Sequence, residues 1–210
     1  MLYNLCSMKD IKFVYFDFGG VMTHWKPGVT EFAKTFEVQE TDLFKSLYDH
    51  FPDAVRGKIS TNEMWKRIKQ DMKIEHQHEN YADLFASHFV PIVETHAFAK
   101  SLKDKYKIGI LSNIEPDTLT HSFERGFVGD VEFDVVLESH HVGYVKPELE
   151  FFQIAQKKAG IQHADEVFFT DDLMENVDAA KKMGWHALQF DSFNPEKSIR
   201  EIQEYLAHAM

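Results

Sequence analysis

Apolar positions along the chain follow two rhythms. Short β-rich runs recur at 12–16 (KFVYF), 107–111 (KIGIL), 133–137 (FDVVL), 166–170 (EVFFT) and 185–190 (WHALQF), and each reads as a strand. Helical patterns fill the intervals between the later four. Pro116 and Pro147 suit first-turn positions, and Gly160 and Gly184 suit C-terminal caps. A last helix is expected to open at Asn194-Pro195 and to carry Ile199, Ile202 and Leu206 at helical spacing. Strands alternating with helices imply βαβ units, hence a five-stranded parallel sheet in a doubly wound, Rossmann-like α/β fold.

Residues 25–95 carry no strand alternation. Leu43, Phe44, Leu47 and Phe51 share one helical face. Met64, Trp65, Ile68 and Met72 share another, behind a capping box of Ser60 and Glu63. Tyr81, Leu84, Phe85, His88 and Phe89 form a third before Pro91, with His88 read as a packed or boundary residue. The expected organisation is an α/β core of residues 1–24 and 96–210 interrupted by a small all-helical cap at 25–95.

Composition narrows the function classes. Hydrophobic residues make up 44% and charged residues 27% of the 210, as in an ordinary globular protein. No apolar run reaches membrane-spanning length, and the first residues lack a secretory pattern. The one cysteine, Cys6, excludes an internal disulfide and suits a reducing compartment, so a cytoplasmic location is expected. A net charge of −11 argues against nucleic-acid binding but leaves small phosphorylated partners open. Among the 12 histidines, the pairs His76/His78 and His140/His141 lie in polar stretches and read as solvated side chains rather than a zinc site. Oligomeric state is left open.

The chemistry gathers where the strands end. In parallel α/β sheets, ligands bind beyond the carboxyl ends of the strands. Those ends carry Asp17-Phe18-Gly19-Gly20, Ser112-Asn113, the segment Gly143 to Pro147 with Lys146, and Asp171-Asp172. A carboxylate at the tip of so apolar a run as 13–16 is costly to bury unless it is paired or at work. Singly, each tip could be a helix cap or a loop charge; their recurrence on one sheet edge is harder to explain that way. Asp17, Asp171 and Asp172 would form an oxygen-rich anionic cluster suited to Mg²⁺. Ser112, Asn113 and Lys146 would then hold a phosphate, with Gly20 leaving amides free to face the anion. A carboxylate can also attack phosphorus and form an acyl phosphate.

These residues lie in FDFGGV (16–21), ILSN (110–113), GYVKPE (143–148) and FFTDDLMENVDAA (168–180). In those motifs the chain resembles the haloacid dehalogenase superfamily, in its subgroup of phosphohydrolases with a helical cap after the first motif. The resemblance implies that Asp17 is the nucleophile and a metal ligand, and that Gly19 offers the metal its backbone carbonyl. It implies that Ser112 and Lys146 hold phosphate, that Asp172 ligates the metal directly and Asp171 through its water shell, and that Asn176 braces the loop. One departure stands out. The family's first motif usually carries a second Asp, a general acid and base, where this chain has Gly19. A Mg²⁺-dependent phosphatase of small phosphorylated metabolites, sugar phosphates among them, is the leading expectation. A catalytically silent phosphate-binding protein comes second. Third is a metal-independent 2-haloacid dehalogenase, which would have no use for the Asp171-Asp172 pair. His24 is the candidate surrogate acid, near Thr23 and Lys26. Arg56 and Lys58 are either substrate contacts from the cap or ordinary surface charges.

Overall fold

The structure is a computed structural model and describes residues 10–75 and 80–208. The expectations attached to Cys6, to His76 and His78 and to the Tyr81 side chain lie outside what is described. In chain order the elements are β1 (Phe13–Phe16), β2 (Thr23–His24), α1 (Lys26–Thr35), α2 (Glu40–Ala54), α3 (Thr61–Met72), α4 (Tyr81–Ala86), β3 (Val90–Pro91), α5 (Val93–Leu102), β4 (Lys107–Ser112), α6 (Thr118–Glu124), β5 (Val135–Glu138), α7 (Leu149–Lys158), β6 (Val167–Asp171), α8 (Met174–Lys182), β7 (His186–Gln189) and α9 (Pro195–His208).

Five strands make one parallel sheet in the order β5-β4-β1-β6-β7. All of β1 is buried, and its unbroken apolar run follows from helices covering both faces of the sheet. Val14 and Phe16 pack with Phe98 and Leu102 of α5 and with Ile202 and Leu206 of α9. Phe13 and Tyr15 point the other way, into Phe151 and Phe152 of α7 and Val177 and Ala180 of α8. The Tyr15 hydroxyl donates to the Ala155 carbonyl at 2.9 Å, and its ring stacks on Trp185, so the polar tip is satisfied inside the core. This is the doubly wound α/β fold expected from the sequence. Among the described residues no helix is long and apolar enough to cross a membrane.

Several boundaries differ from the sequence expectation for local reasons. β5 begins at Val135, because Asp134 turns its carboxylate to the Ile108 N–H at 2.9 Å. Pro116 and Pro147 fall ahead of their helices, which open at Thr118 and Leu149. Gly160 and Gly184 follow the C-caps of α7 and α8 with φ of +72° and +85°, where any side chain would be strained.

Helices α1 to α4 occupy the interval between β2 and β3. Trp65 stacks on Phe32 with ring centroids 4.6 Å apart, and Leu43, Met64 and Ile68 are buried beside them. The capping box closes on one side only. Ser60 Oγ accepts from the Glu63 N–H at 3.2 Å, while the Glu63 carboxylate turns to Arg67 Nε at 3.1 Å. His88 lies beyond α4, half-buried, with Nδ1 2.9 Å from the Leu84 carbonyl oxygen. The chain returns to the core through β3, which pairs antiparallel with β2 (Thr23 with Pro91, His24 with Val90). That ribbon is too short, and its proline too unfavourable, for sequence periodicity to show it.

His140 departs from its reading as a solvated residue. Its Nδ1 sits 3.2 Å from the Ile114 carbonyl oxygen and its ring lies against that of His141, which alone of the two is exposed. Glu138, His140 and His141 bring ligand atoms within 4.8 Å of one another, a convergence the linear sequence does not display.

Candidate active site

Parallel register places the strand tips side by side. Phe16 is level with Ile110 of β4 and Thr170 of β6, so the next residue, Asp17, emerges between Leu111 and Asp171. Lys146 reaches this edge from the loop before α7. Its Nζ lies 2.7 Å from Asp17 Oδ1 and 2.7 Å from Asp171 Oδ2, with the side chain only 1% exposed. Burial alone would lower the Lys146 pKa, but Asp17 and Asp171 outweigh it and hold the ammonium above its ordinary value.

The carboxylates are not equivalent. Asp171 is fully committed: Asn176 Nδ2 donates to both of its oxygens at 3.0 Å, the Leu173 N–H donates to Oδ1, and Lys146 takes Oδ2. Asp17 Oδ1 accepts from Lys146 and from the Phe18 N–H, and among the described residues its Oδ2 has no hydrogen-bond partner. Asp172 is half-buried, and among the described residues it has no ion-pair partner within 4 Å. Burial, outweighing the pull of Lys146, raises the Asp17 carboxyl to about 8. Burial first, and the neighbouring Asp171 second, raise Asp172 to about 6.

The donor set fits Mg²⁺. Asp17, Asp171 and Asp172 bring carboxylate oxygens within 4.8 Å of one another. Hard, all-oxygen anionic ligands of this kind suit that ion, and one ammonium among three carboxylates leaves the cluster net negative. Asp17 Oδ2 and Asp172 are the free ligands, and Asp171 stands behind them. Gly20, at φ +80°, lets the first loop lie against Asp172; a side chain there would run into that carboxylate.

Asp17 and Asp172 open into a cavity of about 320 Å³. Asp17, Gly19, Ser112, Asn113, Lys146, Asp172 and Asn176 all line it, whereas Gly20, Asp171, His24, Arg56 and Lys58 do not, and the Gly20 N–H expected to face the anion is given to the Thr23 carbonyl at 2.7 Å. His24 is excluded by strand phase: in β2 the buried residue is Thr23, and His24 pairs toward Val90. Lys26 is exposed, yet close enough to Asp172 to favour its ionised form. Asn113 has a task beyond the one expected. Its Nδ2 donates to the Lys146 carbonyl at 2.8 Å and its Oδ1 accepts from the Lys146 N–H at 2.7 Å. The side chain therefore positions Lys146, and one of its two amide N–H donors is spent on that contact.

Two of the cavity residues that escaped the sequence reading bear on the chemistry. Glu115 is 3% exposed, accepts from Thr118 Oγ1 at 2.6 Å, and is held above the usual carboxylate range by burial. Its signal was its position just past a strand tip. Trp25 is the other. A Cβ built on Gly19 would meet Trp25 Cδ1 at 3.2 Å, so the indole fills the space beside the position where the family's second Asp would stand.

Arg56 and Lys58 are engaged elsewhere. Lys58 is solvated and pairs with Asp53. Arg56 forms a two-pronged ion pair with Glu148, at 2.6 and 3.0 Å, and also donates to the Gly143 carbonyl. This contact ties the turn after α2 to the loop that carries Lys146. Arg56→Ala should cost about 1 kcal/mol or less, as half-solvated pairs do, and should accelerate amide exchange in α2 and α3. Arg56 holds the Glu148 carboxyl below its ordinary 4.5. The contribution is therefore present above that value and is lost only as pH falls through the depressed one. Melting curves of wild type and variant should differ at pH 7 and converge toward pH 3; a constant difference would mean the ion pair adds nothing.

Residues 11–184 match the family model described as haloacid dehalogenase-like hydrolase. Acyl-CoA dehydrogenase family member 10 of Mus musculus is 26% identical over 94% of this chain, which spans only 19% of that protein. Sesquiterpene phosphatase astK of Aspergillus oryzae is 24% identical over 91% of this chain and 96% of its own length. Among solved structures, a HAD family enzyme of Bacteroides thetaiotaomicron, crystallised with magnesium and inorganic phosphate, superposes with a TM-score of 0.72 at 21% identity, covering 87% of this chain and 95% of that one. L-2-haloacid dehalogenase of Xanthobacter autotrophicus superposes with a TM-score of 0.65 at 20% identity, covering 86% and 77%. At these identities the two structures speak for the shared fold.

Proposed function

Because the chain belongs to the haloacid dehalogenase-like hydrolases, we propose that it is a Mg²⁺-dependent phosphomonoesterase working through an aspartyl-phosphate on Asp17. The observation that carries this reading is the convergence of Asp17, Asp171 and Asp172 around Lys146. A dehalogenase attacking carbon has no evident need for two further carboxylates there. The relation to a sesquiterpene phosphatase and the fold shared with an enzyme crystallised with magnesium and phosphate support the same reading.

Bound Mg²⁺ would neutralise the carboxylates and draw charge from the phosphoryl oxygens. Asp17, Asp172 and the Gly19 carbonyl would hold it. Lys146 and Ser112 hold the phosphate, and Lys146 and the Phe18 N–H fix the plane of the Asp17 carboxylate. Asp17 attacks phosphorus, the P–O ester bond breaks, and the alcohol leaves with a proton. Water then attacks the acyl phosphate, releasing inorganic phosphate and restoring Asp17. Phosphoenzyme trapped during turnover should be labile to hydroxylamine. Phosphate binding without turnover of any monoester would favour a silent binding protein instead.

The proton for the leaving oxygen cannot come from position 19. Turnover should fall more steeply with leaving-group pKa than in relatives that keep the second Asp, with nitrophenyl phosphate ahead of simple alkyl phosphates. General acid–base catalysis is worth about 10²–10⁴-fold, so the spread across a series should be of that order. Glu115, buried in the same cavity and biased toward its protonated form, is the replacement donor for His24. Glu115→Gln should steepen the series further, and an unchanged slope would remove Glu115 from the reaction. Gly19→Asp should gain most on alkyl phosphates, provided the Trp25 ring can shift.

A further inference from the structure

We propose that the substrate is the monophosphate of a bulky apolar alcohol rather than of a sugar, an inference that rests on the phosphatase reading. The cavity has a polar floor and an apolar roof. Floor residues come from the strand tips. The roof comes from α2 and α3 and the residue before α1: Trp25, Phe44, Leu47, Phe51, Met64 and Trp65. On α2 the stripe Phe44, Leu47, Tyr48 and Phe51 follows i, i+3, i+4, i+7 spacing, and all four line the cavity. Leu43 and Ala54 are the apolar residues of this helix that are fully buried, while Phe44, Leu47 and Phe51 pack at the edge of the core and keep partial exposure. An apolar stripe that the core covers only in part, and whose open side lines the cavity over the strand tips, offers that side to a ligand.

The distribution of charge points the same way. Among the described residues Lys146 is the one cationic side chain lining the cavity, and two carboxylates already hold it. A second phosphate would find no further cationic side chain among those lining residues, which favours a monophosphate. Sugar hydroxyls lying against the roof would lose their water with few groups to replace it. Apolar carbon would instead gain by leaving water. The mouth agrees: Tyr48 and Leu173 line the cavity and are 72% and 50% exposed. At about 320 Å³ the space suits a compact group such as a ten-carbon terpenyl or bicyclic alcohol, with room at the mouth for a longer chain to emerge.

The test pairs turnover with binding, using primary alkyl phosphates of similar leaving-group pKa. Geranyl and decyl phosphates are compared with glycerol 3-phosphate and glucose 6-phosphate, with Mg²⁺ present. The expected kcat/KM advantage of the apolar esters is about 10-fold or more, carried mainly by KM. Leu47→Ser and Phe44→Ser should shrink that ratio. Binding is read separately by tryptophan fluorescence, since Trp25 and Trp65 line the cavity. Turnover of all four esters with equal or better use of the polar ones would overturn the inference and leave the phosphatase reading intact. Absence of all turnover, with geranyl phosphate still bound at least about 10-fold more tightly than glycerol 3-phosphate, would overturn the phosphatase reading and uphold the apolar site. Absence of both would overturn both.

Discussion

Asp17→Asn should yield a folded protein whose phosphatase turnover has dropped by at least about 10⁴-fold, the scale on which removal of a nucleophile acts. The change is nearly isosteric, so the fold has little reason to respond. The amide oxygen can still accept from Lys146 and from the Phe18 N–H, as Oδ1 does now. Burial disfavours the charged form of Asp17 when no cation is bound, so a neutral side chain suits the empty site. Metal binding should suffer. A ligand at 100 times its Kd stabilises by about 2.7 kcal/mol, and the Mg²⁺-induced rise in melting temperature should shrink in the variant. Wild-type turnover should vanish on chelation. Residual Asp17→Asn activity within about tenfold of wild type would place the nucleophile elsewhere, since amides do not form stable phosphoenzymes. Full wild-type activity in chelator, or halide release from a 2-haloacid, would revive the dehalogenase reading.

The floor of this site was legible in the sequence because it depends on chain-local signals. A fully buried strand reads as an unbroken apolar run, and the residue that ends it sits at the sheet's ligand-binding edge whatever the rest of the chain does. Asp17, Ser112 and Asp171-Asp172 could be named that way, and the parallel register sets them side by side; Lys146 was named from the segment after the third strand and reaches them from its loop. The roof was not legible, because Phe44, Leu47 and Phe51 carry the same periodicity whether they face a core or a cavity. Partners distant in sequence were hidden too. Arg56 meets Glu148 across 92 positions, and Asn113 meets the Lys146 backbone across 33. A charge or an amide shows in the sequence, but its partner does not, so Asn113 was assigned to phosphate alone and Arg56 was left between a substrate contact and a surface charge. His24 failed for another reason: a two-residue strand has no alternation to read, and its phase decides which neighbour enters the site.

Lys146→Met should be the most destabilising single change in the site. The side chain is 1% exposed and its ammonium is shared between Asp17 and Asp171 at 2.7 Å each. Removing it leaves buried carboxylates facing one another without a counter-charge, and breaking a buried pair from one side typically costs about 3–5 kcal/mol. For a chain of this size that lowers the melting temperature by roughly 6–20 °C. Mg²⁺ should recover part of the loss, since a cation on Asp17 and Asp172 relieves the same repulsion. Turnover should not recover, because the phosphate has lost a fixed cation, an effect of about 10²–10³-fold for a single well-placed donor. The double variant Lys146→Met, Asp171→Asn separates charge from packing. It removes both sides of one pair, and Asn176 can turn its buried, unpartnered carbonyl oxygen toward the new amide. It should therefore be more stable than the single variant despite carrying one more substitution. If the single variant melts within 2 °C of wild type, or the double melts lower than the single, Lys146 is not the electrostatic hub of the site. The charge balance around Asp17 would then have to come from elsewhere.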